Sequence, residues 1–229
     1  MSSDVNAHVS RFEPLPRGRH KLSPKVVLAS QRDRILRAML DCVAARGYSR
    51  TTVPEVVAAA RVSRNAFYGF FSDKTACFLA LCDDLSAGLI EDLFRQDTAP
   101  DWVGALRSGL EIYLRWWQER PAFSRTYLVE LPFAGPRGVE QRERQYANFR
   151  GLFEQLAHRA RREQPDLPPL SPLVPRLLVV ATTELIAEEA RAGPSDRLTE
   201  LQDDLLFTMI KLLADDATAW TAVGRVRSP

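Results

Sequence analysis

Groups that do chemistry are sparse in this sequence. It has three histidines, His8, His20 and His158, far apart along the chain. Its three cysteines, Cys42, Cys77 and Cys82, make no metal-type cluster. Cys77 and Cys82 are five positions apart and point to different sides of one helix. Reduced, partly buried thiols in a cytoplasmic protein are therefore expected. There is no phosphate loop, no HExxH pair and no nucleophile elbow. Neither a catalytic site nor a metal or cofactor is expected, and an all-α enzyme is the minor alternative. Apolar runs fall short of the ~20 residues that a membrane helix needs, so no membrane partner is expected. Met1–Ser10 is polar, without the apolar centre of a signal peptide. Strand-type alternation and internal repeats are missing as well.

What the chain does have is an uneven charge distribution. Its 229 residues, 45% hydrophobic and 26% charged, describe a globular protein with one large or two small domains. The net charge of +2 conceals a basic N-terminal third. Residues 1–75 carry 13 Lys and Arg against 6 Asp and Glu, whereas residues 76–229 carry 18 against 23. A basic head joined to an acidic remainder suits a nucleic-acid reader attached to a different module.

The most informative stretch is TTVPEVVAAARVSRNAFYGFFSDK, residues 51–74. Thr52 and Glu55 have the spacing of a capping box, and Pro54 fits the first turn of a helix. Val53, Val56, Val57 and Ala60 form its inward face. A break at Ala60-Arg61-Val62 follows, and Ser63 caps a second short helix. On that helix Phe67, Phe70 and Phe71 recur at helical spacing and must face a core. Arg64, Asn65, Tyr68 and Gly69 are left outward, on the side that would enter a major groove. For phosphate contacts the candidates are Arg50, Thr51, Thr52, Tyr68 and Lys74. For base edges they are Arg64, suited to guanine, and Asn65, suited to adenine. Gly69 weakens its helix, and the backbone there can come close to DNA.

This stretch resembles the TetR family of bacterial transcriptional repressors. The resemblance rests on the helix 34–46, Gly47-Tyr48, Thr51-Thr52-Val53, Val56, Ala60-Arg61-Val62-Ser63 and Phe67-Tyr68-x-x-Phe71-x-x-Lys74. It is close over residues 30 to about 94 and only architectural beyond. Arg61 stands where the family usually has glycine, so Arg must tolerate a left-handed conformation there. Phe70 replaces a residue that is often His or Tyr, removing a possible polar contact to DNA.

The fold expected is all-α. Residues 1–23, with Pro14, Pro16 and Gly18, read as a flexible arm. Its basic run of Arg17, Arg19 and Lys21 either stays solvated or enters the minor groove. Residues 24–75 are expected to form the DNA-binding domain, 76–219 a larger ligand-binding and dimerisation domain, and 220–229 a frayed tail. Within the larger domain, helices are expected at about 73–96, 101–120, 121–131, 139–164, 173–192 and 197–216, with a loop over 132–138.

One recognition helix covers few base pairs, so a homodimer on a palindromic operator is expected. The interface is expected on the last two helices, through Leu177, Ala181 and Leu185 and through Leu201, Leu205, Met209 and Leu212. The resemblance also implies a small-molecule ligand that lowers operator affinity. Tyr113, Trp116, Trp117, Phe123, Tyr127 and Phe133 concentrate in the fifth and sixth helices and the loop beyond, as an aromatic cavity or as plain core. Glu130 and Glu184, each in an apolar stretch, are candidates to orient that ligand or to pair with Arg. A ligand-responsive repressor is the leading reading. An activator, or a regulator acting through a protein partner, is the further alternative.

Overall fold

A computed structural model describes residues 24–95, 99–193 and 197–224; Arg17, Arg19 and Lys21 lie outside the described residues. The described elements are all helical. Helix α1 spans Pro24–Arg46 and buries Ile35, Leu36, Met39 and Val43 along one stripe. It ends at Gly47, whose φ of 81° is the left-handed conformation that glycine adopts without penalty. The Gly47 N–H donates to the Val43 carbonyl at 2.8 Å, closing the helix with a single five-to-one bond.

Helices α2 (Val53–Ala60) and α3 (Arg64–Phe70) follow. At the start of α2, the Glu55 carboxylate accepts from both the N–H and the hydroxyl of Thr52, each at 2.9 Å. Arg61 closes α2 in the left-handed region (φ 54°, ψ 48°), at a cost of about 1–2 kcal/mol for a residue with a side chain. Ser63 starts α3 by accepting from the Ala66 N–H at 3.0 Å. Phe67 is buried and meets Phe71, fixing α3 against α1.

Helix α4 (Lys74–Arg95) leads from this head into the larger bundle, with Asp73 accepting from the Ala76 N–H at 2.6 Å. The bundle comprises α5 (Trp102–Gln118), α6 (Pro121–Ser124), α7 (Pro136–Glu163), α8 (Val174–Ala192), α9 (Gln202–Leu213) and α10 (Asp216–Ala222). Helix α6 runs on through a π-helical turn, Arg125–Glu130, and a 3-10 turn, Leu131–Ala134. The loop expected over 132–138 is therefore largely helical. Gly138 permits it, since a β-carbon there would stand 2.3 Å from the Leu131 carbonyl oxygen.

The C-terminal end also differs from expectation. The segment expected as one helix over 197–216 is a 3-10 turn, Leu198–Leu201, followed by α9 and then by a separate α10. Asp215 caps α10 by accepting from the Thr218 N–H at 2.8 Å. Trp220, expected in a frayed tail, packs its ring 4.7 Å from that of Phe207. The Asp215 cap, so close to the end of α9, marks the break.

Candidate nucleic-acid interface and buried cavity

On the head, α3 presents Arg64, Asn65, Tyr68 and Gly69 to solvent while Phe67 is buried beneath them. Tyr68 is 48% exposed, its ring held edge-on to Phe67 at 5.4 Å. Nothing lies within 4 Å of where a Gly69 β-carbon would stand, so that surface is open to an incoming backbone. Arg50 is exposed and donates from Nε to the Arg46 carbonyl at 2.7 Å. Thr52 is exposed beside it.

Two candidates for phosphate contact are engaged elsewhere. Thr51 is 1% exposed, and its hydroxyl donates to the Gly47 carbonyl at 2.9 Å. That side chain faces the head's interior. Lys74 donates to the carbonyls of Tyr48 and Thr51, and burial lowers its pKa. It ties α4 to the corner between α1 and α2.

The larger domain contains a half-open cavity of about 310 Å³, at the lower end of the range for small-molecule sites. Tyr113 on α5 and Phe149 on α7 meet at one end, ring centroids 5.6 Å apart. Aliphatic side chains of α5, α7 and α8 continue the wall, together with Met209 of α9. Thr182 and Thr183 add hydroxyls. Among the described residues, the charged lining groups are Arg159 and Arg162, near the C-terminal end of α7. Helical rise puts ~15 Å between Phe149 and Arg159. Burial pushes the Tyr113 phenol up to about 12, against a smaller opposing pull from the Thr183 hydroxyl.

Of the aromatic candidates, only Tyr113 reaches this cavity. Trp117 stacks on Phe123 with centroids 5.7 Å apart and planes within 4°, and Tyr127 packs against both. Trp116 lies edge-on to Trp117 and under the Arg120 guanidinium. These four rings fill the space beside the cavity, because large flat groups pack on one another in preference to leaving a void. Glu184 is on the exposed side of α8, paired with Arg191 at 2.6 Å. Glu130 accepts from the Tyr48 N–H at 2.8 Å, across from the head. Sequence reasoning passed over the α7 wall. Phe149, Leu152, Phe153 and Leu156 fall at i, i+3, i+4 and i+7, a stripe that could have marked it.

Along α8, Leu177, Ala181 and Leu185 are exposed while Leu178 and Ile186 are buried. Leu212 of α9 is exposed, and Leu201 and Leu205 are half-buried. Met209 differs from the other interface candidates: it is buried inside the monomer and lines the cavity. Among the described residues no group of His, Cys, Asp and Glu could hold a metal, and no helix is long and apolar enough to cross a membrane.

A capped helix-turn-helix with a polar outer edge is thus carried on a larger all-helical domain. Residues 35–81 match the bacterial regulatory proteins of the tetR family. Transcriptional regulator AcuR of Cereibacter sphaeroides is 37% identical over 81 residues. That match covers 34% of this chain and only 36% of AcuR's length. The fold is similar to that of the fatty acid degradation regulator FadR from Bacillus halodurans. The TM-score is 0.73 at 16% identity, over 83% of this chain and 97% of that one. It is also similar to FadR from Bacillus subtilis in complex with stearoyl-CoA. Here the TM-score is 0.70 at 14% identity, over 80% and 97% of the two chains.

Proposed function

We propose that the protein is a homodimeric repressor that binds a palindromic operator and is released by an amphipathic small molecule with an apolar body and an anionic end. The cavity carries this reading. Its walls are aliphatic and aromatic, and among the described residues its charged lining groups are Arg162 and Arg159, the latter paired with Glu163 at 2.6 Å. Such a site attracts an apolar chain ended by a carboxylate or phosphate and disfavours a cation. The FadR neighbour bound to stearoyl-CoA supports the choice, since that ligand is an acyl amphiphile with an anionic end. The exposed row Leu177, Ala181 and Leu185, with Leu212 beside it, supports pairing of two copies through α8 and α9. The outward residues of α3 and the basic head support groove binding, with Arg64 and Asn65 on bases and Arg50, Thr52 and Tyr68 on phosphates. Release needs only that the ligand binds the DNA-incompetent arrangement better, for instance through a pivot of α4.

The test starts with selection of bound duplexes from random DNA at stated salt. Affinity is then measured by anisotropy with and without dodecanoate or dodecanoyl-CoA, and Trp fluorescence reports binding at the cavity. A twofold-symmetric site whose affinity falls at least fivefold with either probe supports the reading. Binding that no amphiphilic anion alters, alongside release by a cationic or neutral compound, overturns the ligand class.

A further inference from the structure

Helix α1 ends with one unusual debt. Its single five-to-one closing bond leaves the Tyr48 N–H without an acceptor in the helix. Tyr48 is nearly buried, so that donor needs a partner. The partner is Glu130, which comes from the other domain, 82 positions along the chain, and accepts at 2.8 Å. Its carboxylate comes so close to the corner that a β-carbon on Gly47 would stand 3.1 Å from it. A carboxylate at a helix C-terminus opposes the helix dipole. Electrostatic attraction to the helix therefore does not bring Glu130 there; the directed bond to Tyr48 holds it.

Tyr48 is where the head is assembled. Its carbonyl accepts from Lys74, its hydroxyl bonds Thr75 at 2.8 Å, and its ring packs 4.7 Å from Phe78. The Thr51 N–H returns to the same carbonyl just before α2 begins. Moving Tyr48 therefore moves the origin of α2 and α3 relative to α4.

On its other side, Glu130 is the last residue of the π-helical turn Arg125–Glu130. Such turns are single-turn insertions in α-helices and occur frequently at functional sites. Tyr127 of this turn contacts Trp117 at 5.6 Å, and Trp117 contacts the cavity residue Tyr113 at 6.1 Å. The turn also holds the Thr126 hydroxyl fully buried with no partner.

We propose that Glu130 is a positioning residue for DNA reading: it fixes the α1–α2 corner to the larger domain, and the π-helical turn beneath it lets the state of the cavity reach the head. The input side rests on the ligand-response reading above; the output side, Glu130 on Tyr48, does not.

The experiment uses the full chain and no ligand. Gly109 lines the cavity, and a β-carbon there would meet only Leu93, at an ordinary 3.9 Å. Gly109→Leu thus fills the cavity from within a helix that leucine favours. Operator affinity and amide exchange at Tyr48 are measured for wild type, Gly109→Leu, Glu130→Ala, Glu130→Gln and the double variants. Glu130→Ala is expected to speed exchange at Tyr48 at least tenfold and to change operator affinity at least fivefold. Glu130→Gln, which keeps an acceptor oxygen, is expected to restore both to within twofold. Gly109→Leu is expected to change operator affinity at least fivefold in wild type and in Glu130→Gln, but less than twofold in Glu130→Ala.

If the Gly109→Leu and Glu130→Ala effects simply multiply, Glu130 is a local support and the coupling is overturned. A silent Gly109→Leu in wild type counts against the cavity as a control site. The positioning claim is then decided by Glu130→Ala alone, and unchanged exchange with unchanged operator affinity overturns it. Should Glu130→Ala fail to fold, Glu130→Asp, one methylene too short to reach Tyr48, takes its place with the same expectations.

Discussion

The Lys74 ammonium stands 4.1 Å from the centroid of the Tyr48 ring while donating to the Tyr48 and Thr51 carbonyls at 2.9 and 3.0 Å. The lysine that completes the family motif thus spends two of its three donors inside the head. Its visible work is to hold the first turn of α4 against the α1–α2 corner. Lys74→Met keeps the stem and removes the charge. Charged hydrogen bonds contribute about 1.5–3 kcal/mol each when both partners are otherwise satisfied. A loss of about 2–3 kcal/mol in urea unfolding is expected, because two charged bonds go, the Thr51 carbonyl loses the lysine donor and the Tyr48 carbonyl keeps only the Thr51 N–H. The salt dependence of operator binding separates this from a phosphate contact. A clamp leaves the slope of log affinity against log salt unchanged, whereas a lost phosphate contact lowers it by about 1.

Arg64 and Tyr68 are exposed on the same helix but are expected to fail differently. Arg64 suits a bidentate contact to guanine, so Arg64→Ala should cost about 1–3 kcal/mol and relax preference at one position in each half-site. Tyr68→Phe removes one hydroxyl while keeping the ring on Phe67, so binding should weaken alike on all sequences. Repeating the duplex selection with each variant reads out both. An unaltered consensus with Arg64→Ala would remove that residue from base reading.

What was legible in the sequence was local. Ser63, Asp73 and Asp101 each cap a helix by bonding an amide three residues on, a pattern readable within four positions. The outward edge of α3 followed from the spacing of Phe67, Phe70 and Phe71 in the same way. Glu130 shows where such reading stops. An isolated carboxylate in an apolar stretch signals a specific partner, but that partner is a backbone N–H 82 residues away. The aromatics misled for a related reason. Trp116, Trp117 and Phe123 are dense in sequence because they pack on one another, and the cavity wall came instead from α7, whose stripe is ordinary in composition.

Acid should loosen the junction between head and bundle. Asp73 caps α4, and the Ala76 N–H, with a further contribution from Arg137, holds its carboxyl below the usual range. Its pKa in the folded chain is lower than the ~3.9 of an unfolded aspartate. The stability it contributes is therefore fully present above about pH 4 and is lost as pH falls through the folded value. Asp73→Asn still caps the helix, so its stability at pH 7 should stay close to wild type. Its loss on going from pH 5 to pH 3 should be the smaller of the two in urea unfolding. Parallel acid profiles for the two proteins would show that Asp73 carries no such linkage.

Pairing of two copies should depend on side chains that the monomer leaves unburied. Leu177 and Leu185 are 47% and 42% exposed, about 100° around α8 from buried Leu178 and Ile186, and Leu212 on α9 is 42% exposed. In a lone chain Leu177→Glu changes a surface position, where substitutions usually stay within about 0.5 kcal/mol. In a dimer the same change buries a carboxylate among leucines with no partner, which the assembly does not tolerate. Sedimentation should therefore show a monomer for Leu177→Glu, with a melting temperature extrapolated to low concentration close to that of wild type. Operator affinity should fall by an order of magnitude or more, since one head is left to hold a site built for two. Met209 provides the contrast. It is buried within the monomer, so Met209→Ala should cost about 2–5 kcal/mol of stability and leave the association state unchanged. A Leu177→Glu protein that stays dimeric would move the interface off this face of α8.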